Sequence, residues 1–345
     1  MTAAEVIAVA REHGFELAGI AAAEPMAEAG YYLDWAARGL AGEMRYLTDY
    51  RADKRRDCRE LLAAARSVLV VGKLYNSGEP YSTEQEYGDR GWISRYAWMR
   101  DYHLTMKERL LAVAVQIQQQ TGCEFKVCVD TAPLLERPLA RAAGLGWIGK
   151  NTCLINQQQG SWFFLGEVLL SLDLVPGAAP DDRCGTCTKC IAACPTAALV
   201  PVAGGGGPAY ELDSRRCISY LTIELRGSIP GELRGAVGQH VFGCDICQDV
   251  CPWNGRAPVT ADEDFEPRHV APPLSELAAL SARQFRERFG DTPVERARYR
   301  GFLRNVAVAM GNSKRKEFEP LLRSLAGHAD EVVCEHAKWA LEQLR

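Results

Sequence analysis

The chain of 345 residues is long enough for two or three domains, and its 47% apolar and 24% charged residues are typical of a folded globular protein. The formal net charge of −4 excludes binding to polyanions through overall charge, although local basic segments could still serve. The apolar runs are too short to cross a bilayer, and the first residues lack the pattern of a signal peptide. We therefore expect a cytoplasmic protein without a membrane partner.

The first half of the chain alternates between helical and strand-like patterns. It begins with a helix for which Thr2 is the predicted cap. The further predicted elements are strands at 67–75, 124–130, 153–156 and 161–172, and helices at 104–120 and 134–144. This alternation predicts an α/β or α+β domain over residues 1–175, with helices packed on a sheet.

Two further domains are predicted behind this one. The turn-rich segment from Pro176 to Asp182 opens a cysteine-rich domain, assigned to residues 176–260. Residues 261–345 contain the amphipathic stretches GFLRNVAVAMGN, FEPLLRSLAGH and EVVCEHAKWALEQL. Their pairing favours a HEAT-like helical repeat, with a plain helical cap as the alternative.

Eight cysteines follow the pattern of a two-cluster ferredoxin. CGTCTKCIAACP places four of them in C-x2-C-x2-C-x3-C-P, and CDICQDVCP adds three more. In this pattern the cysteine before each proline ligates the other cluster, and Cys217 is the one cysteine between the motifs. The predicted ligands of the first 4Fe-4S cluster are Cys184, Cys187, Cys190 and Cys251, and those of the second are Cys194, Cys217, Cys244 and Cys247.

A pair of zinc sites is the alternative interpretation of these cysteines, because C-x2-C pairs also occur in zinc knuckles. Zinc does not call for doubled motifs with crossed fourth ligands, so the clusters are favoured. The other cysteines are interpreted as core or incidental thiols, namely Cys58, Cys123, Cys128, Cys153 and Cys334.

The large domain before the clusters predicts an enzyme, since two clusters alone need only a small wrapper. The chain contains neither a G-x-G-x-x-G fingerprint nor a P-loop, which leaves nicotinamide chemistry and nucleotide hydrolysis without support. The domain must then hold a second redox centre or a substrate site.

The stretch VDTAPLLERPLARAAGLGWIGKNTCLI, the two cysteine motifs and CISYLTIE together resemble the epoxyqueuosine reductase family. This resemblance implies an α/β domain like that of reductive dehalogenases, which holds cobalamin beside two 4Fe-4S clusters. It implies reduction of epoxyqueuosine to queuosine at the wobble position in the anticodon loop of tRNA. Electrons would pass through the clusters to cobalamin.

The resemblance also implies the role of Asp130, the aspartate of VDT, as the proton donor. Burial in the corrin pocket would raise the pKa of Asp130, so that it carries a proton near neutral pH. The alternative is that Asp130 only caps a helix. Arg137 would face the substrate or a phosphate, or form a surface salt bridge. Lys150 and Asn151 lie in a glycine-bounded loop suited to a cofactor or RNA backbone, or to a simple turn.

Cobalamin contacts are assigned to short segments of the chain. The assigned residues are Ile93, Asp130, Asn151, Cys153, Leu154, Ser219, Thr222, Gln239 and His240, of which His240 could instead be a structural histidine. The nearest match to the D-x-H-x-x-G signature is DYHLTM from Asp101, which ends in Met106. We therefore expect base-off cobalamin without a histidine ligand to cobalt.

Two basic segments are candidates for contacts with RNA phosphates, with solvated surface as the alternative. Their residues are Arg51, Lys54, Arg55 and Arg56, and Lys314, Arg315 and Lys316. Aromatic rings could stack on splayed bases, although core packing is their commoner use. The candidate rings are those of Trp92, Tyr96, Trp98 and Trp253.

Two other functions were weighed: a cobalamin-dependent reductive dehalogenase, and a ferredoxin-like electron carrier without chemistry of its own. The missing signal peptide counts against the dehalogenase, which is usually exported. We expect a monomer that receives electrons from a low-potential donor such as flavodoxin or ferredoxin.

Overall fold

The computed structural model describes residues 1–202 and 208–345. The helices are α1 (Ala3–Glu12), α2 (Ala29–Ala37), α3 (Arg51–Lys54), α4 (Tyr102–Thr121), α5 (Glu136–Ala142), α6 (Lys189–Ala193), α7 (Ile218–Ile223), α8 (Gly231–Arg234), α9 (Ile246–Asp249), α10 (Leu274–Ala279), α11 (Ala282–Phe289), α12 (Arg298–Ser313), α13 (Glu319–Ala326) and α14 (Glu331–Gln343). The strands are β1 (Leu17–Ala22), β2 (Ser67–Leu74), β3 (Trp92–Ile93), β4 (Phe125–Cys128), β5 (Trp147–Ile148), β6 (Leu154–Ile155), β7 (Phe163–Leu170), β8 (Leu199–Pro201), β9 (Tyr210–Leu212) and β10 (His240–Phe242).

Most predicted elements of the first domain are confirmed. Strands β2, β4, β6 and β7 and helices α4 and α5 occupy the predicted segments within a few residues. Thr2 caps α1 in a capping box with Glu5, as expected. Strand β1 was not predicted, because its sequence LAGIAA contains no alternation of polar and apolar residues.

The main sheet has four strands in the order β1-β2-β7-β4. All three pairings are antiparallel, including Cys128 of β4 opposite Glu167 of β7. The fold is therefore the α+β variant of the predicted mixed fold and not a parallel α/β sheet, which would require crossover connections between neighbouring parallel strands.

Helices cover both faces of this sheet, which explains why all eight residues of β2 are buried. Leu69 and Val71 face a core that includes residues of α1 and α4. Val68 and Val70 face the opposite core, which includes residues of α5. Helices α4 and α5 thus flank the sheet and lead to the end of β4, where Asp130 lies.

The C-terminal helices share one core with an excursion of the first domain. Strand β3 pairs in parallel with β10, and Trp92 and Trp98 pack with residues of α10 to α14. Helices α12, α13 and α14 pack against one another. The HEAT-like assignment and the three domain boundaries stay predictions. In the described ranges, none of the helices is long and apolar enough to cross a membrane.

Candidate active site

The loop after β4 carries Asp130 in an unusual conformation. Its φ of 44° lies in the left-handed region, which side chains other than glycine rarely adopt. The side chain is 51% exposed, although protein surrounds it closely enough for burial to be the largest influence on its pKa. Asp130 therefore lies at the surface with protein close around it, and not within the core. Such strained residues are concentrated at functional sites.

A histidine on α4 bridges Asp130 to a second aspartate. The Nε2 atom of His103 lies 3.0 Å from Asp130 Oδ2, and Nδ1 lies 2.6 Å from Asp101 Oδ1. Burial lowers the pKa of His103, but the hydrogen bonds to Asp101 and Asp130 outweigh it and raise the pKa to about 9. The imidazole is thus protonated at neutral pH, and both ring nitrogens donate hydrogen bonds.

The expectation that burial raises the pKa of Asp130 is wrong in net direction. Burial does act in that sense, but the hydrogen bond from His103 and the charges of His103 and Arg296 hold the pKa below its ordinary value. At neutral pH the dissociable proton of this pair therefore resides mainly on His103. Asp130 can deliver a proton that His103 passes to it across the shared hydrogen bond.

Two further carboxyl groups lie behind Asp130. Glu136 accepts a 2.7 Å hydrogen bond from the Asp130 backbone N–H, and burial and the charge of Asp130 raise the pKa of Glu136 to about 8. Glu167 on β7 is fully buried, and neither of its oxygens has a hydrogen-bond partner among the described residues. Burial, followed by the charges of Glu136 and Asp130, raises the pKa of Glu167 well above its ordinary value.

Arg296 lies close enough to Asp130 for its charge to lower the pKa of Asp130. Its Nε atom donates a 2.5 Å hydrogen bond to Glu224, and its guanidinium lies over the ring of Tyr46, 5.2 Å from the ring centre. We use the term Asp130 site for Asp130, His103, Asp101, Glu136 and Arg296. Sequence reasoning missed most of this set. DYHLTM was considered only as a cobalt-ligand signature, and Glu224 closes the quoted motif CISYLTIE without being singled out.

The glycine-bounded loop connects the Asp130 site to both cysteine motifs. Lys150 Nζ donates to the carbonyl oxygens of Gly185, at 2.6 Å, and Cys187, at 3.0 Å. Asn151 is buried and donates a 3.1 Å hydrogen bond to the carbonyl of Cys247. Arg137 donates to the carbonyl of Thr152 in the same loop. Lys150 and Asn151 thus hold the cysteine loops, and Arg137 holds this loop beside α5.

The four cysteines predicted for the first cluster meet in one place. They line a single cavity of about 40 Å³ that is partly open to solvent, together with Lys150, Trp253 and neighbouring residues. We call this group the cluster 1 set: Cys184, Cys187, Cys190 and Cys251. The crossed contribution from the second motif fits this arrangement, because Cys251 faces the same cavity as the first motif.

The other four cysteines form a deeper group, the cluster 2 set: Cys194, Cys217, Cys244 and Cys247. Burial and the charge of Cys217 raise the pKa of Cys244. The charge of Cys194 raises the pKa values of both Cys217 and Cys244. Cys247 shares a hydrogen bond with Cys153, which therefore lies against this set. The backbone N–H groups of Tyr220 and Ser219 and the Ser219 hydroxyl donate to the Cys217 sulfur.

Zinc fits these sets less well than iron–sulfur clusters. Across residues 1–202 and 208–345, no group of three or more His, Cys, Asp or Glu side chains is arranged to hold a single metal ion. Zinc would draw four sulfur atoms to about 2.3 Å from one ion, whereas a cubane keeps its four thiolates on separate irons. Two crossed sets of four thiolates are therefore the pattern that two cubanes need.

Several assigned cobalamin contacts have their polar groups engaged within the protein. The carbonyl of Ile93 accepts the indole N–H of Trp98, and the Ile93 side chain is fully buried in the C-terminal core. The Thr222 hydroxyl donates to the Ile218 carbonyl and accepts the Gly243 N–H. These side chains are structural, because the core leaves no surface of Ile93 or Thr222 exposed.

Gln239, His240 and Leu154 are also held by the protein. The Gln239 amide donates to the carbonyls of Gly88 and Arg90. Leu154 is buried in the core beside α5. His240 is buried, and its Nδ1 donates to the Val237 carbonyl while Nε2 has no partner among the described residues. Burial lowers the pKa of His240 to about 4, so the ring is neutral, as expected of a structural histidine.

The first basic segment is a weaker RNA surface than its composition predicted. The prediction that Arg55 contacts RNA phosphates is wrong. Its side chain is 7% exposed, and its Nη1 donates to the Tyr46 carbonyl inside the fold. Arg51 pairs with Asp49 at 2.6 Å and Arg56 with Asp53 at 3.3 Å. Because Arg55 is buried and Arg51 and Arg56 are paired, Lys54 is the remaining cation of this segment that is neither buried nor in an ion pair in the described part of the chain.

The second basic segment and the aromatic candidates also include both exposed residues and residues that are paired or buried. Lys314, at φ 58°, donates to Gln343, Arg315 pairs with Glu317 at 2.8 Å, and Lys316 is exposed. Trp92 and Trp98 are fully buried and contact each other, so their predicted stacking on bases is wrong. Tyr96 packs against Tyr102 of α4, and Trp253 lies beside Trp147 at the cluster 1 set.

The class of protein follows from the cysteine-rich segment and its comparison with known domains. Residues 183–254 match the 4Fe-4S double cluster binding domain, which makes this chain an iron–sulfur protein. The match spans all seven cysteines of the two motifs and Cys217, the cysteine between them. Residues 55–131 match the domain described as Epoxyqueuosine reductase QueG, DUF1730.

Full-length relatives then identify the family. The chain is 42% identical to an epoxyqueuosine reductase of Xanthomonas campestris, over 99% of this chain and 96% of that protein. It is 38% identical to the epoxyqueuosine reductase of Escherichia coli, over 96% of this chain and 86% of that protein. A crystal structure of epoxyqueuosine reductase with an epoxyqueuosine-modified tRNA-Tyr stem loop matches with a TM-score of 0.89 and 28% identity, over 99% and 89% of the two chains. The chain belongs to the epoxyqueuosine reductase family, as its motifs predicted.

Proposed function

We propose that this protein is an oxidoreductase that reduces epoxyqueuosine to queuosine in the anticodon loop of tRNA. The observation that carries the proposal is the full-length similarity to epoxyqueuosine reductases, at 42% identity over 99% of the chain. The Asp130 site supports it, because removal of an epoxide oxygen as water requires two electrons and two protons. The cysteine sets fit the electron supply, and the His103–Asp130 pair fits the proton supply.

The cysteine sets suit two 4Fe-4S clusters, and cobalamin would bind between the cluster 2 set and Asp130, which the loop of Asn151 and Thr152 connects. When bound, the clusters supply electrons one at a time and cobalamin supplies a reduced cobalt centre for attack on the epoxide. The cluster 1 set borders a cavity that is partly open to solvent, whereas Cys217, Cys244 and Cys247 of the cluster 2 set lie deeper in the protein. A flavodoxin or ferredoxin donor would therefore dock at the cluster 1 set.

Cobalamin would bind in the base-off form without a histidine ligand from DYHLTM. The reason is that His103 uses both ring nitrogens, Nδ1 toward Asp101 and Nε2 toward Asp130. His240 is a less suitable ligand because it is buried among Tyr87 and its own loop. Asn151, Cys153 and Ser219 remain the best-placed of the predicted contacts, since each lies against the cluster 2 set.

The proton chemistry belongs to residues of the Asp130 site. His103 would pass its proton from Nε2 to Asp130 Oδ2, and Asp130 would deliver it to the departing oxygen, while the second proton of the water formed would come from solvent. Asp101 holds His103 in the orientation that points Nε2 at Asp130. Glu136 fixes the Asp130 backbone through the N–H hydrogen bond and so maintains its left-handed conformation.

The test is a single-turnover reaction of the anaerobically reconstituted protein with tRNA that carries epoxyqueuosine. We expect chemically reduced enzyme to convert it to queuosine, detected by mass spectrometry of the nucleosides. A protein that binds iron, sulfide and cobalamin but leaves epoxyqueuosine unchanged would contradict the proposal. Conversion of an aryl halide by the same preparation would favour a dehalogenase, and no conversion of either substrate would favour an electron carrier. A cytoplasmic location and a monomeric state belong to the same proposal.

A further inference from the structure

We propose that Arg226 and Arg298 form a binding site for an RNA backbone phosphate at the edge of the Asp130 site. This inference rests on the proposed function, because the phosphate belongs to the tRNA whose modified nucleotide enters that site. Neither residue lies in the basic segments predicted to bind RNA. We call the pair, together with the backbone that positions it, the Arg226–Arg298 site.

The position of the pair follows from its hydrogen bonds. Arg226 Nη1 donates to the carbonyl oxygens of Arg296, at 3.0 Å, and Ala297, at 3.3 Å. Arg296 is the residue whose charge reaches Asp130, and Arg298 is the first residue of α12 directly after Ala297. Arg226 and Arg298 therefore lie on either side of the turn that brings Arg296 to the Asp130 site.

A buried arginine fixes the backbone around Arg226. Arg304 of α12 is fully buried, and its Nη1 donates to the carbonyls of Leu225, at 2.8 Å, and Gly227, at 2.6 Å. The residues on both sides of Arg226 are thus held, and Nη1 ties its side chain to the turn at Arg296, while Nε and Nη2 make no hydrogen bond within the described part of the chain. The guanidinium of Arg304 adds a third positive charge and contacts carbonyl and amide oxygens.

The charge of the pair is not neutralised by an ion pair in the described part of the chain. Their neighbours Arg296 and Arg300 pair with Glu224 at 2.5 Å and Asp330 at 2.9 Å, whereas Arg226 and Arg298 have no such partner there. Burial, and next the charge of Arg298, lowers the pKa of Arg226, while Glu224 and Glu43 act in the opposite direction. Two guanidinium groups that repel each other are stabilised by an anion between them.

The backbone of Arg298 gives an independent reason to assign a function. Its φ is 58° and its ψ is 155°, a conformation that is open to glycine and unfavourable for other residues. Arg298 is nevertheless an arginine with an exposed side chain. The fold would be less strained with glycine at this position, so the side chain itself must serve a purpose.

Phosphate is the anion that fits this pair best. A planar guanidinium matches a phosphate with two parallel hydrogen bonds, and arginine is favoured wherever such recognition is needed. A nucleotide splayed from a loop keeps a phosphate on each side. When the modified base reaches Asp130, one of these phosphates can lie on the rim formed by Arg226 and Arg298.

The experiment measures binding of an unmodified tRNA anticodon stem loop to the reconstituted full-length protein by fluorescence anisotropy over a range of salt concentrations. The variants are Arg298→Gln and the double variant Arg226→Gln/Arg298→Gln. The control is Arg283→Gln, whose side chain is 81% exposed on α11 with a single 3.5 Å contact to Glu287. We expect weaker RNA binding by the two variants and wild-type binding by the control. Each lost phosphate contact should reduce the slope of log affinity against log salt by about 0.7.

Three results are distinguishable. If the Arg298→Gln variant, whose exposed side chain has no structural partner to lose, binds RNA with the wild-type affinity and slope, the Arg226–Arg298 site is overturned. If the variants bind RNA like the wild-type protein but bind inorganic phosphate more weakly, the site takes free phosphate. The proposal is then equally overturned. If the wild-type protein itself neither binds the stem loop nor converts epoxyqueuosine, the proposed function fails first. Retention of the wild-type slope by Arg298→Lys would confirm that charge at this position carries the effect.

Discussion

Asp130→Asn tests the mechanism most directly, because the change keeps the size of the side chain and removes its acidic proton. Loss of a positioned general acid lowers the rate by about 10² to 10⁴, which corresponds to about 3 to 5 kcal/mol of activation free energy. The clusters, cobalamin and tRNA should still bind. The cluster cysteines lie elsewhere, asparagine keeps the shape that Asp130 offers to cobalamin, and the Glu136 hydrogen bond needs only the backbone N–H of residue 130.

The same change alters the neighbouring imidazole in a direction that the structure fixes. His103 has a pKa of about 9 because Asp101 and Asp130 both hold its proton. With one carboxylate removed, the pKa of His103 should fall toward its ordinary value. In the wild-type protein the single-turnover rate should stay constant through neutral pH and decline as the pH rises through about 9, where His103 loses its proton.

The assay is a single turnover of chemically reduced enzyme on epoxyqueuosine-containing tRNA, measured at several pH values. Asp53→Asn is the matched control, because Asp53 is 78% exposed and makes only a 3.3 Å surface contact with Arg56. The control should react at the wild-type rate. A normal rate for Asp130→Asn would remove Asp130 from the mechanism, and loss of cobalamin from that variant would assign it a structural role instead.

Three other predictions concern the cofactors and the stability of the site. Cys251→Ala should damage the first cluster although it lies in the second motif, and a paramagnetic resonance signal lost only from the second cluster would contradict the crossed ligands. Cob(II)alamin in the protein should show no nitrogen superhyperfine splitting, whereas a histidine ligand would produce it. His103→Gln should lower the free energy of unfolding by about 1 to 2 kcal/mol near pH 6, after allowance for the half-exposed Asp130 carboxylate. A group whose pKa is higher in the folded than in the unfolded protein stabilises the fold at pH values below its unfolded pKa. The difference in free energy of unfolding between wild type and variant, measured by denaturant titrations, should therefore vanish as the pH rises through about 9.

The sequence predicted the parts of the molecule that depend on local pattern. Cysteine spacing fixes which thiols can surround a common cluster, and the cavity lined by Cys184, Cys187, Cys190 and Cys251 agrees with the crossed assignment. Helix α4 and strand β7 were found because hydrophobic periodicity over many residues is a strong signal. Strand direction is not encoded in such patterns, so the antiparallel order of the sheet could not be predicted from them.

The Asp130 site depends on contacts between distant segments, and the sequence gives few signals for these. His103 lies 27 residues before Asp130 and meets it only because α4 packs beside β4. The pKa of Asp130 was expected to rise, since burial alone was considered and the imidazolium partner was unknown. In the same way, Arg55 resembles a surface cation in the run DKRRD, whereas the fold buries it beside Tyr46.

The groups assigned to electrons and to protons are connected by one short path of hydrogen bonds. Asn151 donates to the carbonyl of Cys247 in the cluster 2 set, and the next residue, Thr152, accepts from Arg137. Thr152 holds a φ of 63°, which turns its carbonyl toward α5. The loop is therefore fixed at one end by a predicted cluster ligand and at the other by the helix beside Asp130.

The path continues to Asp130 through the first residue of α5. Glu136 precedes Arg137 and accepts the Asp130 N–H, so the first turn of α5 holds both the loop from the cluster 2 set and the predicted proton donor. A reaction that needs electrons and protons at the same carbon–oxygen bond depends on their sources keeping a fixed separation. Two hydrogen bonds from adjacent residues of one helix meet that need with few flexible parts, which explains why two left-handed residues, Asp130 and Thr152, are tolerated within this small region.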